Sequence, residues 1–157
     1  MRLVDKNHID ELSNALGVEP LHNGFTFEKF HSILRRYPAR KIKQLLTDQT
    51  LIAGIGNIYA DESCFYAKIL PTRQVTSLTK DQVRLLYKHI PKVLKLSISK
   101  KGTSFSDYVQ LDGKQGRMVK WLRVYNKTGQ PCSVCGTPIK KIKLNGRGTH
   151  FCPRCQK

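Results

Sequence analysis

Apolar residues recur every three or four positions over most of the first hundred residues, which is the period of a helix with one buried face. A first helix is predicted to end at Gly17, with Ile9, Leu12 and Leu16 on its inner face. Thr26 is placed to cap a second helix that Pro38 stops. A third, short helix is predicted over residues 39–46. This part of the chain is therefore expected to be helical.

Two glycines then interrupt the helical pattern. Gly54 and Gly56 predict a sharp turn directly before Asn57, where the next helix begins, and that helix should end near Lys68. Residues 39–68 are thus predicted to form a helix, a tight two-part turn and a second helix.

A longer helix follows this unit. Thr79 and Gln82 fit a capping box at its start, and Gly102 is placed to end it. Its predicted inner face consists of Val83, Leu86, Ile90, Val93, Leu94 and Ile98. Residues 103–116 are polar and glycine-containing, so we expect a mobile loop there.

The last forty residues change to a pattern of short strands. Trp121–Tyr125 is predicted to be a strand, and Ile139–Leu144 and Thr149–Cys152 the strands of a hairpin. They would be joined through residues 145–148, which places Arg147 at an exposed hairpin tip between two glycines.

Four cysteines near the end of the chain have the spacing of a metal site. Cys132 and Cys135 form one Cys-x-x-Cys pair, and Cys152 and Cys155 form another after a gap of sixteen residues. This arrangement suits one tetrahedral zinc ion, with a hairpin between the pairs. Gly136 follows the first pair, where a turn under a metal often requires a positive φ.

The alternative to zinc is a pair of disulfides. The chain has five cysteines, which leaves Cys64 over, and residues 1–6 lack the apolar core of a signal peptide. No stretch approaches the roughly 18 apolar residues of a membrane span. We therefore expect a cytoplasmic protein, in which zinc is favoured over cystines and Cys64 is a buried, inert thiol.

The charge of the chain points to an anionic partner. Lys and Arg number 28 against 11 Asp and Glu, a formal net charge of +17. From Gly113 onward there are eleven basic residues and no acidic one. A basic zinc module of this kind favours nucleic acid, whereas a membrane surface is less favoured because no amphipathic helix accompanies the charge. A merely soluble basic surface is the remaining alternative.

Two features can hold phosphates. The turn at residues 54–57 offers free N–H groups at a helix start, and Asn57 can donate one further hydrogen bond, although such a turn is common without any ligand. Arg147 at a rigid tip can reach phosphates or a base edge, but can equally be one more surface charge. Lys43, one turn before the glycines, can assist or simply be a solvated helix lysine.

Catalytic candidates are few. Asp61 and Glu62 are adjacent on a helix, so their side chains diverge, and an exposed polar face is the favoured interpretation. His150 lies near Cys152, but four thiolates already complete a structural zinc site. We assign no catalytic residue within this chain.

Three segments resemble a known family. Residues 48–62, DQTLIAGIGNIYADE, resemble the helix–two-turn–helix signature of the formamidopyrimidine-DNA glycosylase and endonuclease VIII family. Residues 124–139 and 146–156 resemble its zinc finger. The resemblance covers nearly the whole chain, and the formamidopyrimidine branch fits best.

This resemblance implies a function in base-excision repair. The family removes oxidised and ring-opened purines from DNA and then cleaves the strand, using an N-terminal proline amine as nucleophile and a following glutamate. It implies DNA contacts at Lys43, Gly56, Asn57, Tyr59 and Arg147. It also implies that residues 104–119 correspond to the loop that covers an everted base.

The chain departs from the family at its start. It opens Met1-Arg2 rather than with proline and glutamate, and only the C-terminal half of the family pattern is matched. We therefore expect binding of duplex DNA with oxidised purine or abasic lesions, without turnover unless a separate chain supplies the N-terminal half. The competing hypothesis is a stand-alone zinc-ribbon module that binds DNA or RNA and has no enzymatic role.

The predicted architecture is mainly α. A helix–two-turn–helix domain over residues 1–116 is followed by a four-cysteine zinc finger with a β-hairpin over residues 117–157. We expect one structural Zn²⁺ ion and a monomer.

Overall fold

The computed structural model describes residues 15–103 and 117–157. Within them the chain forms four α-helices and one hairpin, namely α1 (Phe27–Arg36), α2 (Ile42–Leu46), α3 (Asn57–Tyr66), α4 (Lys80–Ser99), β1 (Lys140–Leu144) and β2 (Arg147–Phe151). The predicted class, a mainly helical unit followed by a small hairpin, is confirmed. Most of the predicted first helix, the domain boundary at 116 and nearly all of the predicted loop lie outside the described residues. Leu16 is described, and its predicted place on a buried helix face is wrong, because it is 51% exposed in a bend.

The starts of the two amphipathic helices are as predicted. The Thr26 hydroxyl accepts a hydrogen bond from the Lys29 N–H at 3.2 Å, which begins α1. At α4 the Thr79 hydroxyl accepts from the Gln82 N–H while the Gln82 side chain accepts from the Thr79 N–H, a complete capping box. These bonds satisfy N–H groups that a helix start otherwise leaves without partners.

The helical core forms where the four helices meet. α4 packs against α3 and α1, and the buried face of α4 includes the predicted Leu86 and Ile90. The largest fully buried side chains of this cluster are Phe30, Leu34, Ile42, Leu45, Leu46, Ile52, Ile55, Ile69, Leu86 and Ile90. Ile98 is predicted to lie on the buried face of α4, but it is 66% exposed in the last turn, where the adjacent Ser97 faces α3 instead.

The helix–two-turn–helix unit is present, with shorter helices than predicted. α2 begins at Ile42 rather than 39, because Lys41 is extended and pairs with Gln74 in an isolated bridge. α3 ends at Tyr66, and Lys68 takes a positive φ of 59° that directs the chain away from the helix.

The strand predicted at Trp121–Tyr125 is wrong. A 3₁₀ turn occupies Met118–Trp121, and the following residues continue without a strand partner. Their N–H groups are bound by the Glu62 carboxylate, which accepts from Arg123, Val124 and Tyr125 at 2.8–2.9 Å. A side chain thus takes the place that a neighbouring strand would have in binding these N–H groups.

The hairpin is tighter than predicted. β1 and β2 are antiparallel, and Leu144 pairs with Arg147, so only Asn145 and Gly146 form the turn. Both have positive φ, 48° and 75°, as a type I′ turn requires. Arg147 therefore begins β2 instead of lying within the turn.

No helix in residues 15–103 or 117–157 combines the length and the apolar character needed to cross a membrane.

Candidate nucleic-acid interface and metal site

The four predicted cysteines converge on one point. The Sγ atoms of Cys132, Cys135, Cys152 and Cys155 all lie within 4.8 Å of one another. The Cys132–Cys155 and Cys135–Cys152 separations are 3.8 and 3.5 Å. A disulfide would require about 2.05 Å, whereas four sulfurs about 2.3 Å from a central zinc lie at separations of this size. The donor set and its geometry fit one structural Zn²⁺ ion, and the disulfide alternative is wrong.

The turns around the cysteines suit thiolate ligands. The Val134 N–H donates to Cys132 Sγ at 3.5 Å, and the Cys155 N–H donates to Cys152 Sγ at 3.4 Å. Hydrogen bonds from Thr137 lower the pKa of the Cys135 thiol to about 6, which favours its thiolate, whereas burial raises the pKa of the Cys152 and Cys155 thiols. The thiolate form of those two cysteines therefore depends on the metal itself. Gly136 has a φ of 74°, as predicted from its position after the first pair.

The finger is joined to α3 by two buried carboxylates. Asp61 Oδ2 accepts from the His150 N–H at 2.9 Å and lies 3.3 Å from His150 Nδ1, while Glu62 binds the three N–H groups after Leu122. Burial raises the pKa of Glu62, although its three N–H donors act in the opposite direction. Asp61 and Glu62 are 0% and 1% exposed. Their predicted place on an exposed polar face is wrong because the finger covers them.

Lys43 lies in the same interface. It is 2% exposed, and its Nζ lies 2.6 Å from Asp61 Oδ1, 2.9 Å from the Gly148 carbonyl and 2.8 Å from Thr149 Oγ1. Burial lowers the pKa of this amine, and the neighbouring Asp61 opposes that shift. The alternative of a solvated helix lysine is wrong. Lys43 was also predicted to contact DNA directly, but in this structure its Nζ is surrounded by protein oxygens.

Asn57 and Arg147 are brought together by the hairpin. Asn57 Nδ2 donates to the Gly148 carbonyl at 3.1 Å and lies 3.5 Å from the Tyr125 hydroxyl. Arg147, the neighbour of Gly148 in sequence, is exposed. Asn57 and Gly148, 91 positions apart in sequence, therefore share one hydrogen bond, which holds the backbone beside Arg147 against the start of α3. Phosphate contacts of Asn57 and Arg147 stay predictions. Tyr125 was not among the predicted site residues because the sequence placed it in a strand.

The glycine turn leaves the start of α3 open. Gly54 has a φ of 87°, and Gly56 caps α3 without any side-chain hydrogen bond, unlike the capped starts of α1 and α4. Gln49 fixes the turn, because its side chain accepts from the Gly54 N–H and donates to the Ile55 carbonyl, both at 2.8 Å. Uncapped N–H groups and the positive end of the helix dipole favour an anion here.

The Tyr59 hydroxyl is bound at the end of α4. It lies 2.5 Å from Ser97 Oγ and 3.2 Å from Thr103 Oγ1, and the side chain is half-buried. It therefore joins α3 to the end of α4. A contact of Tyr59 with DNA stays a prediction, as does that of Gly56.

A polar cleft of about 240 Å³ lies between α2 and the hairpin turn. Its walls include Arg40 and Arg147, with Asn145 at one end. Arg40 forms a partly exposed ion pair with Asp48 at 2.9 Å. The cleft therefore combines the cationic side chains of Arg40 and Arg147 on one surface.

The fifth cysteine is structural. Cys64 is fully buried in α3, and burial raises the pKa of its thiol, so the prediction of a buried, inert residue is confirmed.

A zinc finger packed on a helix–two-turn–helix unit defines the class of this protein, and two family models agree with it. The model described as the formamidopyrimidine-DNA glycosylase H2TH domain matches residues 16–109, and the zinc finger found in FPG and IleRS matches residues 129–157. The chain belongs to the formamidopyrimidine-DNA glycosylase family and corresponds to its C-terminal half.

Individual relatives support this assignment. The chain is 48% identical over 142 residues to the formamidopyrimidine-DNA glycosylase of Listeria monocytogenes, covering 90% of this chain and 52% of the relative. It is 45% identical over 157 residues to that of Pelotomaculum thermopropionicum, covering 99% and 56%. The chain thus spans about half the length of these relatives.

Solved structures show the same fold. The MutM (Fpg) protein from Thermus thermophilus superposes with a TM-score of 0.89 and 43% identity, over 99% of this chain and 59% of that one. Lactococcus lactis Fpg, in a complex with DNA that contains an abasic site, superposes with a TM-score of 0.88 and 41% identity, over 98% and 57%.

Proposed function

We propose that this chain binds duplex DNA at oxidised purine or abasic lesions, as the DNA-binding half of a base-excision repair glycosylase. The observation that carries the proposal is the hydrogen bond from Asn57 Nδ2 to the Gly148 carbonyl, which brings the backbone next to the exposed Arg147 to the uncapped start of α3. An exposed guanidinium on a basic finger is thus combined with a helix start that has free N–H groups. That combination suits successive phosphates of one strand.

Charge and relatives support the same partner. The net charge of +17 favours a polyanion, and +11 of it comes from the residues from Gly113 onward, which include Arg147 and contain eleven basic and no acidic residues. Structural relatives were solved with DNA containing an abasic site and with DNA containing carbocyclic 8-oxo-G. We therefore propose the same classes of lesion for this chain, with phosphates contacted by Arg147 and by the uncapped N–H groups at the start of α3, where Asn57 lies.

The test compares nucleic acids and variants by fluorescence anisotropy. Duplexes with an abasic-site analogue, with 8-oxoguanine and without damage are titrated with the zinc-loaded chain in dilute salt, together with an RNA duplex. We expect the damaged DNA duplexes to bind most tightly. Equal affinity for damaged and intact DNA, or a preference for RNA, would instead favour a stand-alone nucleic-acid module.

Arg147→Ala is the decisive variant. Removing one phosphate contact should weaken binding about tenfold and reduce the slope of log K against log salt by about 0.9. Arg84→Ala is the matched control, because this exposed arginine of α4 carries the same charge and lies in the helical region, with its guanidinium near Phe27 and Asp81. The two variants have equal net charge, so a loss confined to Arg147→Ala reports a contact and not long-range attraction.

The proposal covers binding and not turnover, because no catalytic residue is assigned within these 157 residues. Borohydride trapping on abasic DNA tests this part separately. We expect no covalent adduct with the chain alone, and a trapped adduct would identify an amine that acts as a nucleophile here. A monomeric state and a cytoplasmic location remain part of the proposal.

A further inference from the structure

The surroundings of Lys43 differ from those of a residue that contacts DNA. An ammonium group has three N–H donors, and Nζ has three oxygens within 2.9 Å, from Asp61, Gly148 and Thr149. The residue is 2% exposed. In this arrangement no donor of Lys43 is directed to solvent, where a phosphate would approach.

Two of those oxygens belong to the residues that follow Arg147. Nζ binds the carbonyl of Gly148 and the hydroxyl of Thr149, and the Gly148 carbonyl is also the acceptor for Asn57 Nδ2. One carbonyl therefore receives a donor from α2 and a donor from α3. Its position determines where the backbone beside Arg147 lies relative to Asn57.

Asp61 completes the arrangement from the other side. One carboxylate oxygen pairs with Lys43 at 2.6 Å and the other accepts from the His150 N–H at 2.9 Å. The Lys43–Asp61 pair therefore holds three consecutive residues of β2, 148 to 150. A buried ion pair is weak evidence for stability, and its best-attested use is to select one arrangement over others.

We infer that Lys43 is a positioning residue, which together with Asp61 holds β2 so that Arg147 lies beside Asn57, and that it does not itself contact DNA. This inference rests on the proposed function, since it concerns how the same surface is formed. The resemblance predicted both Lys43 and Arg147 as DNA contacts. The inference keeps this role for Arg147 and assigns Lys43 the role of positioning it.

The test uses the double substitution K43M/D61N in the zinc-loaded chain. It removes both buried charges together, so neither is left unpaired, and the formal net charge stays the same. Affinity for the abasic duplex and its salt dependence are measured in this variant, in Arg147→Ala and in their combination. Bound zinc and the ¹⁵N NMR signals of Gly148 and His150 report whether the finger is folded and whether β2 has moved.

If Lys43 acts through Arg147, K43M/D61N should retain zinc, shift the Gly148 and His150 signals, and weaken binding by up to the same factor of about ten as Arg147→Ala. Combining the substitutions should then cost little more than Arg147→Ala alone, because the positioned group is already gone. The salt slope should fall by about 0.9 in each case. Additive losses, with a slope reduced by about 1.8 in the combination, would show a direct phosphate contact and overturn the inference.

Thr149→Val keeps the inference testable if K43M/D61N does not fold. It removes one acceptor of Lys43 with little change of shape or charge. We expect Thr149→Val to weaken duplex binding when Arg147 is present. When Thr149→Val is combined with Arg147→Ala, the affinity should be the same as with Arg147→Ala alone. An unchanged affinity for Thr149→Val would overturn the inference, whereas an Arg147→Ala variant that binds as tightly as wild type would contradict the proposed function instead.

Discussion

The helical region and the zinc finger are stabilised by different interactions. The helical core contains a large set of buried apolar side chains drawn from α1 to α4. The finger cluster contains five buried residues, of which Cys132 and Cys152 are metal ligands and Phe65 is contributed by α3. The helices can rely on apolar burial, whereas the finger relies on a metal and on buried polar bonds to α3.

Zinc removal should separate the two regions most strongly. Structural zinc in finger peptides contributes about 10–16 kcal/mol of apparent binding free energy. We expect a chelator to unfold the finger while the far-ultraviolet circular dichroism of the helices persists. Hydrogen exchange measured for each region is the check, and simultaneous loss of protection in both would mean that they unfold as one unit.

Glu62→Ala should have the next largest effect, because it leaves three N–H groups of residues 123–125 without their acceptor. Leaving a buried hydrogen-bond donor without a partner costs about 1–3 kcal/mol per group. Zinc affinity and the denaturation midpoint should both fall, since this carboxylate joins the finger to α3. Exposed Glu19→Ala is the control, and equal midpoints for the two variants would contradict the assigned role.

Leu86→Ala should affect the helical region instead. Leu86 is fully buried in α4, and such a truncation costs about 3 kcal/mol. We expect a lower thermal midpoint for the helices with unchanged zinc affinity. Truncating the neighbouring exposed Leu85 provides the control, and a matching loss there would show that burial does not govern this region.

Thr79→Ala should have the smallest effect of the series. It removes the hydroxyl of the capping box at α4, which is worth about 1 kcal/mol. Chemical denaturation should show a small loss of stability, with zinc binding and DNA affinity unchanged. Thr79→Ser retains the hydroxyl and should therefore keep most of the wild-type stability. A Thr79→Ser variant as unstable as Thr79→Ala would argue against the cap.

The sequence predicted features that depend on local spacing. The caps at Thr26 and Thr79, the glycine turn before Asn57 and the four zinc ligands follow from residue types within a few positions. Each is set by short-range hydrogen bonding or metal geometry.

The errors concern residues whose partners are distant in the chain. Asp61, Glu62 and Lys43 appear as ordinary helix charges until the finger, some 60 to 105 positions away, covers them. The strand predicted at Trp121–Tyr125 failed for the same reason, because a carboxylate from α3 binds its N–H groups. No pattern of neighbouring residues indicates such long-range contacts. Three charged residues near a glycine turn are nevertheless the feature of the sequence that could have pointed to them.

The two attachments of the finger to α3 have a mechanical consequence. Asp61 holds β2 and Glu62 holds residues 123–125, so the finger cannot pivot on its helix without breaking buried bonds. The backbone beside Arg147 is then fixed relative to Asn57 before any ligand binds. A partner of this surface therefore has to adapt its own shape, because the finger is not free to adapt to the partner.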